Sequence, residues 1–205
     1  MPTHPLWRPF KTVDLDEVDQ LRVGDPPPRT ITVVPYDPAW PGAFEAVAGR
    51  VRAALGGRVL ALTHIGSTSV PGLAAKSVID IDLTVADSAD EAAYVPDLEA
   101  AGFVLRWRDP EWEEHRVLSA EAPMTNLHAI SPGDREARRH LMFRDWLRTN
   151  TDDRQAYEAL KLELGGREFT HSMDYNNHKA ALVYDIYEKV FAADPEHEHD
   201  PQPRA

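Results

Sequence analysis

The chain has 205 residues, and 34 acidic against 22 basic side chains give it a net charge of −12. A surface of that sign argues against wrapping a nucleic-acid backbone. No run approaches the roughly 18 apolar residues of a membrane span, no signal-peptide pattern opens the sequence, and the lack of cysteine rules out disulfides and thiolate sites. The 42% apolar share suits one globular domain with a sizeable core, and a cytoplasmic location is expected.

Residues 1–28 show little periodicity and end in Asp25-Pro26-Pro27-Pro28, a stiff linker, so they read as an N-terminal extension. A short strand is expected at Ile31–Val34. Pro38, Trp40 and Pro41 announce a helix from about Gly42 to Leu55, with Phe44, Val47, Val51 and Leu55 on one stripe. Gly56-Gly57 ends it.

Two β-branched runs follow, Val59–Ile65 and Ser77–Val85, on either side of a loop rich in glycine and serine. Asp80 and Asp82 in the second run share one face of a strand, about 7 Å apart at the backbone. Val78, Ile79, Ile81, Leu83 and Val85 make that strand apolar on both faces, as in a buried central strand. Two acids side by side on such a strand repel unless a cation sits between them. Mg²⁺ takes one or two carboxylates and completes its shell with phosphate and water. The preceding loop offers Gly66, Ser67, Ser69 and Lys76 at phosphate height.

Farther on, Ser88 or Asp90 is placed to cap a helix running to Ala101, delayed or bent by Pro96. Strands are expected at Phe103–Trp107, Arg116–Ser119 and Met124–Ile130, and helices at about 134–148, 152–164 and 174–192. Residues 193–205 are acidic, with proline and histidine. Glu196-His197-Glu198-His199-Asp200 invites a metal-site reading, but the composition is that of a disordered tail. The order of elements is α/β: a mixed sheet flanked by helices, then a helical C-terminal portion.

The run His64-Ile65-Gly66-Ser67-Thr68-Ser69-Val70-Pro71-Gly72-Leu73-Ala74-Ala75-Lys76, with Ile79-Asp80-Ile81-Asp82, resembles the signature of the GrpB-like proteins. That family is placed in the nucleotidyltransferase superfamily. The resemblance extends from Tyr36-Asp37-Pro38-Ala39-Trp40 to about Val190, within a domain spanning 29–192. It implies a nucleotidyltransferase-like fold, Mg²⁺ held by Asp80 and Asp82, a nucleoside triphosphate donor and a small-molecule acceptor. Similar domains occur fused to dephospho-CoA kinases.

A third carboxylate normally helps to hold a second ion. Its expected strand here reads Met124-Thr125-Asn126-Leu127-His128 and has none. A neutral His128 suits a metal ligand or a general base; the alternative is a buried histidine bonded within the sheet. One of Glu111, Glu113 and Glu114 is a candidate stand-in for the missing acid. Pro110-Glu111-Trp112-Glu113-Glu114-His115-Arg116 and Phe143-Arg144-Asp145-Trp146-Leu147-Arg148 are similar to further family segments. Arg116 and Arg144 are therefore expected phosphate contacts, with Arg148 on the same helical face as Arg144. Tyr175 and Lys179 match the family's Tyr-x-x-x-Lys, with Lys179 on phosphate and Tyr175 as a base-stacking or core group. Without turnover, the same cleft would be a nucleotide-binding or chaperone-like module.

Overall fold

A computed structural model describes residues 2–24, 31–167, 169 and 172–204. Five strands form one mixed sheet: β1 (Ala61–Ile65), β2 (Ile79–Thr84), β3 (Val104–Asp109), β4 (His115–Glu121) and β5 (Met124–Ile130). Their spatial order is β1-β2-β5-β4-β3. Only β2 and β5 run parallel, with Asp80 opposite Asn126 and Asp82 opposite His128.

Strand alternation sorts the sheet into two faces. Ile79, Ile81, Leu83, Leu118, Leu127 and Ala129 point to one side. They form the main core with Val47, Val51 and Leu55 of α2 (Trp40–Leu55) and with Val95 and Leu98 of α3 (Val95–Ala100). Asp80, Asp82, Asn126 and His128 point to the other side, toward α4 (Arg135–Thr149), α5 (Thr151–Leu164) and α6 (Ser172–Ala192). Phe143, Leu147, Tyr157, Tyr187 and Phe191 form a second core among these helices. The central strand is thus covered on both faces, which is why its sequence is apolar throughout apart from its two aspartates and Thr84.

Several expectations shift. Ile31–Val34 makes no strand; Val34 joins Ala75 in a single antiparallel bridge. The helix anticipated after Ser88 begins at Val95, behind a 3-10 turn at Glu91–Ala93, with Pro96 in its first turn where no N–H is needed.

The N-terminal extension packs on the body. Its helix α1 (Leu15–Gln20) is capped by Asp14. Beyond it, the Val23 N–H donates to Arg106 O and the Arg108 N–H to Leu21 O, which covers the edge of β3. The Asp25–Pro28 linker lies outside the described residues.

The tail expected to be disordered is ordered against α6. The His199 ring is enclosed, with its Nε2 2.9 Å from Glu188 Oε2, and the Gln202 N–H donates to the same carboxylate. Composition pointed to a solvated tail, but these contacts to Glu188, with the edge-on ring contacts of His199 on Phe191 at 5.6 Å and of His197 on His4 at 4.8 Å, hold it against the body.

Among the described residues, one set of three possible metal ligands lies within 4.8 Å of one another: His4, Asp194 and His197. The Leu6 N–H donates to His4 Nδ1, so the single proton of a neutral His4 ring sits on Nε2, where it meets Asp194 at 2.8 Å. A metal on Nε2 would have to displace that proton and leave the ring with none. The cluster therefore acts as a hydrogen-bonded clasp between arm and tail.

Candidate active site

The turn after β1 is shaped by its own polar groups. Gly66 takes φ +66, open to glycine at little cost. Its carbonyl accepts from the Ser69 hydroxyl at 2.6 Å and from the Ser69 N–H. Three basic side chains hold other carbonyls in and beside this loop: Arg144 on His64 O near the end of β1, Arg148 on Ser69 O and Lys161 on Ala74 O. Glu158 of α5 accepts from the Ala74 N–H at 2.7 Å, so α5 grips both polar groups of one peptide residue.

The loop presses directly on the first aspartate. A Cβ added at Gly66 would lie 2.4 Å from Asp80 Oδ2. Asp80 Oδ1 accepts from Asn126 Nδ2 at 2.8 Å, and burial raises the Asp80 pKa. Asp82 is 4% exposed, and both its oxygens lie 3.1–3.2 Å from His140 Nδ1. Burial works against charge on His140. The Asp82 carboxylate, with Glu136 and Asp80 farther off, outweighs it and raises the His140 pKa.

His128 stands next in the row. Its Nδ1 is 3.0 Å from His115 Nε2, and its ring centroid is 5.7 Å from that of His140. Burial pushes His128 down to about 4 and His115 to about 3, so both are neutral at pH 7. A histidine lowered in the folded state binds fewer protons than in the unfolded chain, so stability falls as pH drops from 6.5 toward 4. For His128 alone the loss is roughly 3 kcal/mol. Urea melts at pH 7 and pH 5 should show a lower midpoint at pH 5, and His128→Asn should reduce that difference. His140, whose pKa is raised, works in the opposite direction, so the variant carries the test: a pH 7 to pH 5 difference unchanged by His128→Asn would mean that His128 is not neutral as described.

A cleft of about 190 Å³ opens over these groups, lined among others by Gly66, Ser67, Asp80, His128, His140 and Arg144. Ser67 hydrogen-bonds the Tyr157 hydroxyl, and Lys179 lies close enough for its charge to act on Asp80. Burial lowers Lys179 to about 8 and Lys161 to about 7. Lys76 lies 4.6 Å over the Tyr175 ring, and its charge also reaches Asp80.

Of the residues singled out from sequence, Gly66, Ser67, Asp80, His128 and Arg144 line the cleft, with Asp82, Lys76 and Lys179 at its carboxylates. Ser69 is buried in the turn and shapes it. Arg116 is brought to a different place. It lies on the opposite face of β4, 6% exposed, bound to Glu91 at 2.7 Å and Glu114 at 2.9 Å. The expected phosphate contact there is corrected: alternation along β4 sends residue 115 toward the cleft and residue 116 away from it. Glu113 and Glu114 are engaged by Arg135 and Arg116, so neither serves as the third acid. His140, Tyr157 and Lys161 were missed, because α4 and α5 meet the sheet only in the folded chain. The sole sequence signal for His140 was its place four residues before Arg144 on one helical face.

The donor set suits a hard divalent ion in part. Two carboxylates on adjacent same-face positions match what Mg²⁺ takes from protein, and the raised pKa of Asp80 marks a carboxylate lacking full compensation by cations.

The GrpB protein family matches residues 30–189. A UPF0157 protein of Halalkalibacterium halodurans is 45% identical over 179 residues, covering 86% of this chain and 92% of that one. Another from Streptomyces coelicolor is 36% identical and covers 83% and 90%. A dephospho-CoA kinase of Mycolicibacterium paratuberculosis is 33% identical over 157 residues, but these amount to 39% of the kinase. The crystal structure of the conserved protein GrpB from Enterococcus faecalis superimposes with a TM-score of 0.68 at 30% identity, covering 78% of this chain and 96% of that one. Among the described residues, no helix is long and apolar enough to cross a membrane. With the family matched over most of the chain and the mixed five-stranded sheet shared with a solved member, this protein belongs to the GrpB family, consistent with the nucleotidyltransferase superfamily.

Proposed function

We propose that the protein is a Mg²⁺-dependent nucleotidyltransferase that moves a nucleotidyl group from a nucleoside triphosphate to a small acceptor. The observation that carries this reading is the contact between the Gly66 turn and Asp80, with Asp82 two residues on along the same strand face. A phosphate seated on the turn would lie beside the carboxylates that hold its counter-ion. When bound, the divalent ion neutralises phosphate charge and lowers the pKa of an attacking hydroxyl.

The chain's own groups divide the remaining work. Asp80 and Asp82 would hold the cation, Asn126 fixes the Asp80 carboxylate, and His140 orients Asp82. His128 is neutral and accepts a hydrogen bond from the acceptor hydroxyl. With a pKa of about 4 it is a weak base, so its part is to position the hydroxyl. Lys179, Lys76 and Arg144 balance the charge that develops on the phosphates.

A second reading, a nucleotide-binding module without turnover, is favoured by two features. His140 occupies both oxygens of Asp82, and Asn126 and His128 stand where a third acid is wanted.

A thermal-shift screen of the four NTPs and CoA-type nucleotides, with and without Mg²⁺, separates the readings. Transfer predicts stabilisation by one NTP that grows when Mg²⁺ is added, together with release of pyrophosphate once an acceptor is supplied. An equal shift with and without Mg²⁺ supports the module. No shift with any nucleotide would sink both.

A further inference from the structure

Phosphate and metal chemistry account for only half of the cleft over Asp80. Gly66, Ser67, Asp80, His128, His140 and Arg144 line it, and so do Ile65, Val70, Phe143, Leu147, Tyr157 and Tyr187. The second six come from the end of β1, the loop after it and all three C-terminal helices. Val70, Phe143, Leu147, Tyr157 and Tyr187 belong to one packed apolar cluster, so they form a continuous patch. Helix α4 serves both halves, because His140, Phe143, Arg144 and Leu147 follow i, i+3, i+4 and i+7 along one face.

The two hydroxyls in the patch are committed elsewhere. Tyr187 donates to Arg139 O at 3.2 Å, and the Tyr157 hydroxyl is bonded to Ser67. The other side chains in it carry no polar atom. A polar group pressed against this surface would lose water without gaining a partner, which costs free energy. A sugar, a polyol or an amino acid is therefore a poor occupant, and so is the hydrogen-bonding edge of a nucleobase.

Size narrows the choice further. The cleft encloses about 190 Å³. A cavity of ~150 Å³ lined by aliphatic and aromatic side chains takes one benzene ring, whereas sites for drug-sized ligands begin at about 300 Å³. One ring fits and a nucleoside does not. We propose that the apolar patch seats a neutral alcohol built on a single apolar ring, the size of benzyl alcohol, with its hydroxyl turned toward His128 and Asp80. That this alcohol is the acceptor rests on the transferase reading; that the patch binds it does not. In the transfer, the alcohol oxygen bonds to the α-phosphorus of the triphosphate. The bond from that phosphorus to the bridging oxygen of the β-phosphate breaks. Pyrophosphate leaves with the electron pair, and the hydroxyl proton passes to water.

The test is ligand-observed NMR titration of the full-length protein, without nucleotide or metal, using benzyl alcohol and glycerol. Benzyl alcohol should bind at least tenfold more tightly than glycerol. Val70→Leu adds one methylene group to the patch and should weaken benzyl alcohol at least threefold. Leu147→Ala enlarges the cleft and should move the preference toward a two-ring alcohol such as naphthylmethanol, with folding checked by circular dichroism. Loss of stability alone would not change a size preference.

Equal affinity for benzyl alcohol and glycerol, or a preference untouched by both variants, would overturn the subsite. Ring-selective binding that responds to the variants, with no pyrophosphate released from any NTP, would sink the transferase reading and leave the subsite standing. Pyrophosphate release with glycerol but not with benzyl alcohol would do the reverse.

Discussion

Replacing Asp80 and Asp82 together by asparagine is expected to lower nucleotidyl transfer by at least about 10³-fold, some 4 kcal/mol of transition-state stabilisation. The fold should survive. Asparagine is close in size to aspartate, and its carbonyl oxygen at 82 can still accept from His140 Nδ1, now 3.1–3.2 Å from the carboxylate. At position 80 the change removes a charge that burial already penalises, which offsets part of any lost hydrogen bond to Asn126. The Mg²⁺-dependent part of the thermal shift should vanish with the activity. Activity at the parent level in this double variant would remove β2 from the chemistry altogether.

The second large effect concerns the turn. Gly66→Ala places a methyl group 2.4 Å from Asp80 Oδ2 on a backbone with φ +66. The left-handed conformation alone costs about 1–2 kcal/mol for a residue with a side chain. The methyl must also drive the Asp80 carboxylate away from Asn126 or push the loop off the sheet. A loss of about 2–4 kcal/mol is expected in chemical melts, along with loss of nucleotide-induced stabilisation. Gly72→Ala is the control: it shares the positive φ, at +79, but a Cβ there meets nothing within 4 Å. It should show the conformational cost only. Equal behaviour of the two variants would mean that the close approach to Asp80 does not matter.

The arm and tail illustrate how composition can mislead. Residues 193–205 carry a solvated composition, yet His199 is enclosed and Asp194 is bound by His4 and His197. Hydrogen bonds to the Glu196 N–H, to His197 and to His4 hold the Asp194 carboxyl down to about 2. The partners of this clasp lie about 190 residues apart in the chain, so a reading of the tail by itself could not find them.

Local pattern alone marked the two flanking strands, the Gly66 turn and the same-face placement of Asp80 and Asp82, because strand alternation and glycine conformation act over a few residues. The three C-terminal helices were legible for the same reason, through their apolar periodicity. Tertiary packing decided the rest. Pairing of β2 with β5 set Asn126 and His128 beside the aspartates, and the alternation of β4 sent His115 inward and Arg116 to Glu91 on the far face. Docking of α4 and α5 then brought His140 to Asp82 and Lys161 to the loop. Contacts between residues some 58 and 87 positions apart depend on how elements stack, and no periodicity along the chain encodes which face of a helix will meet which end of a sheet.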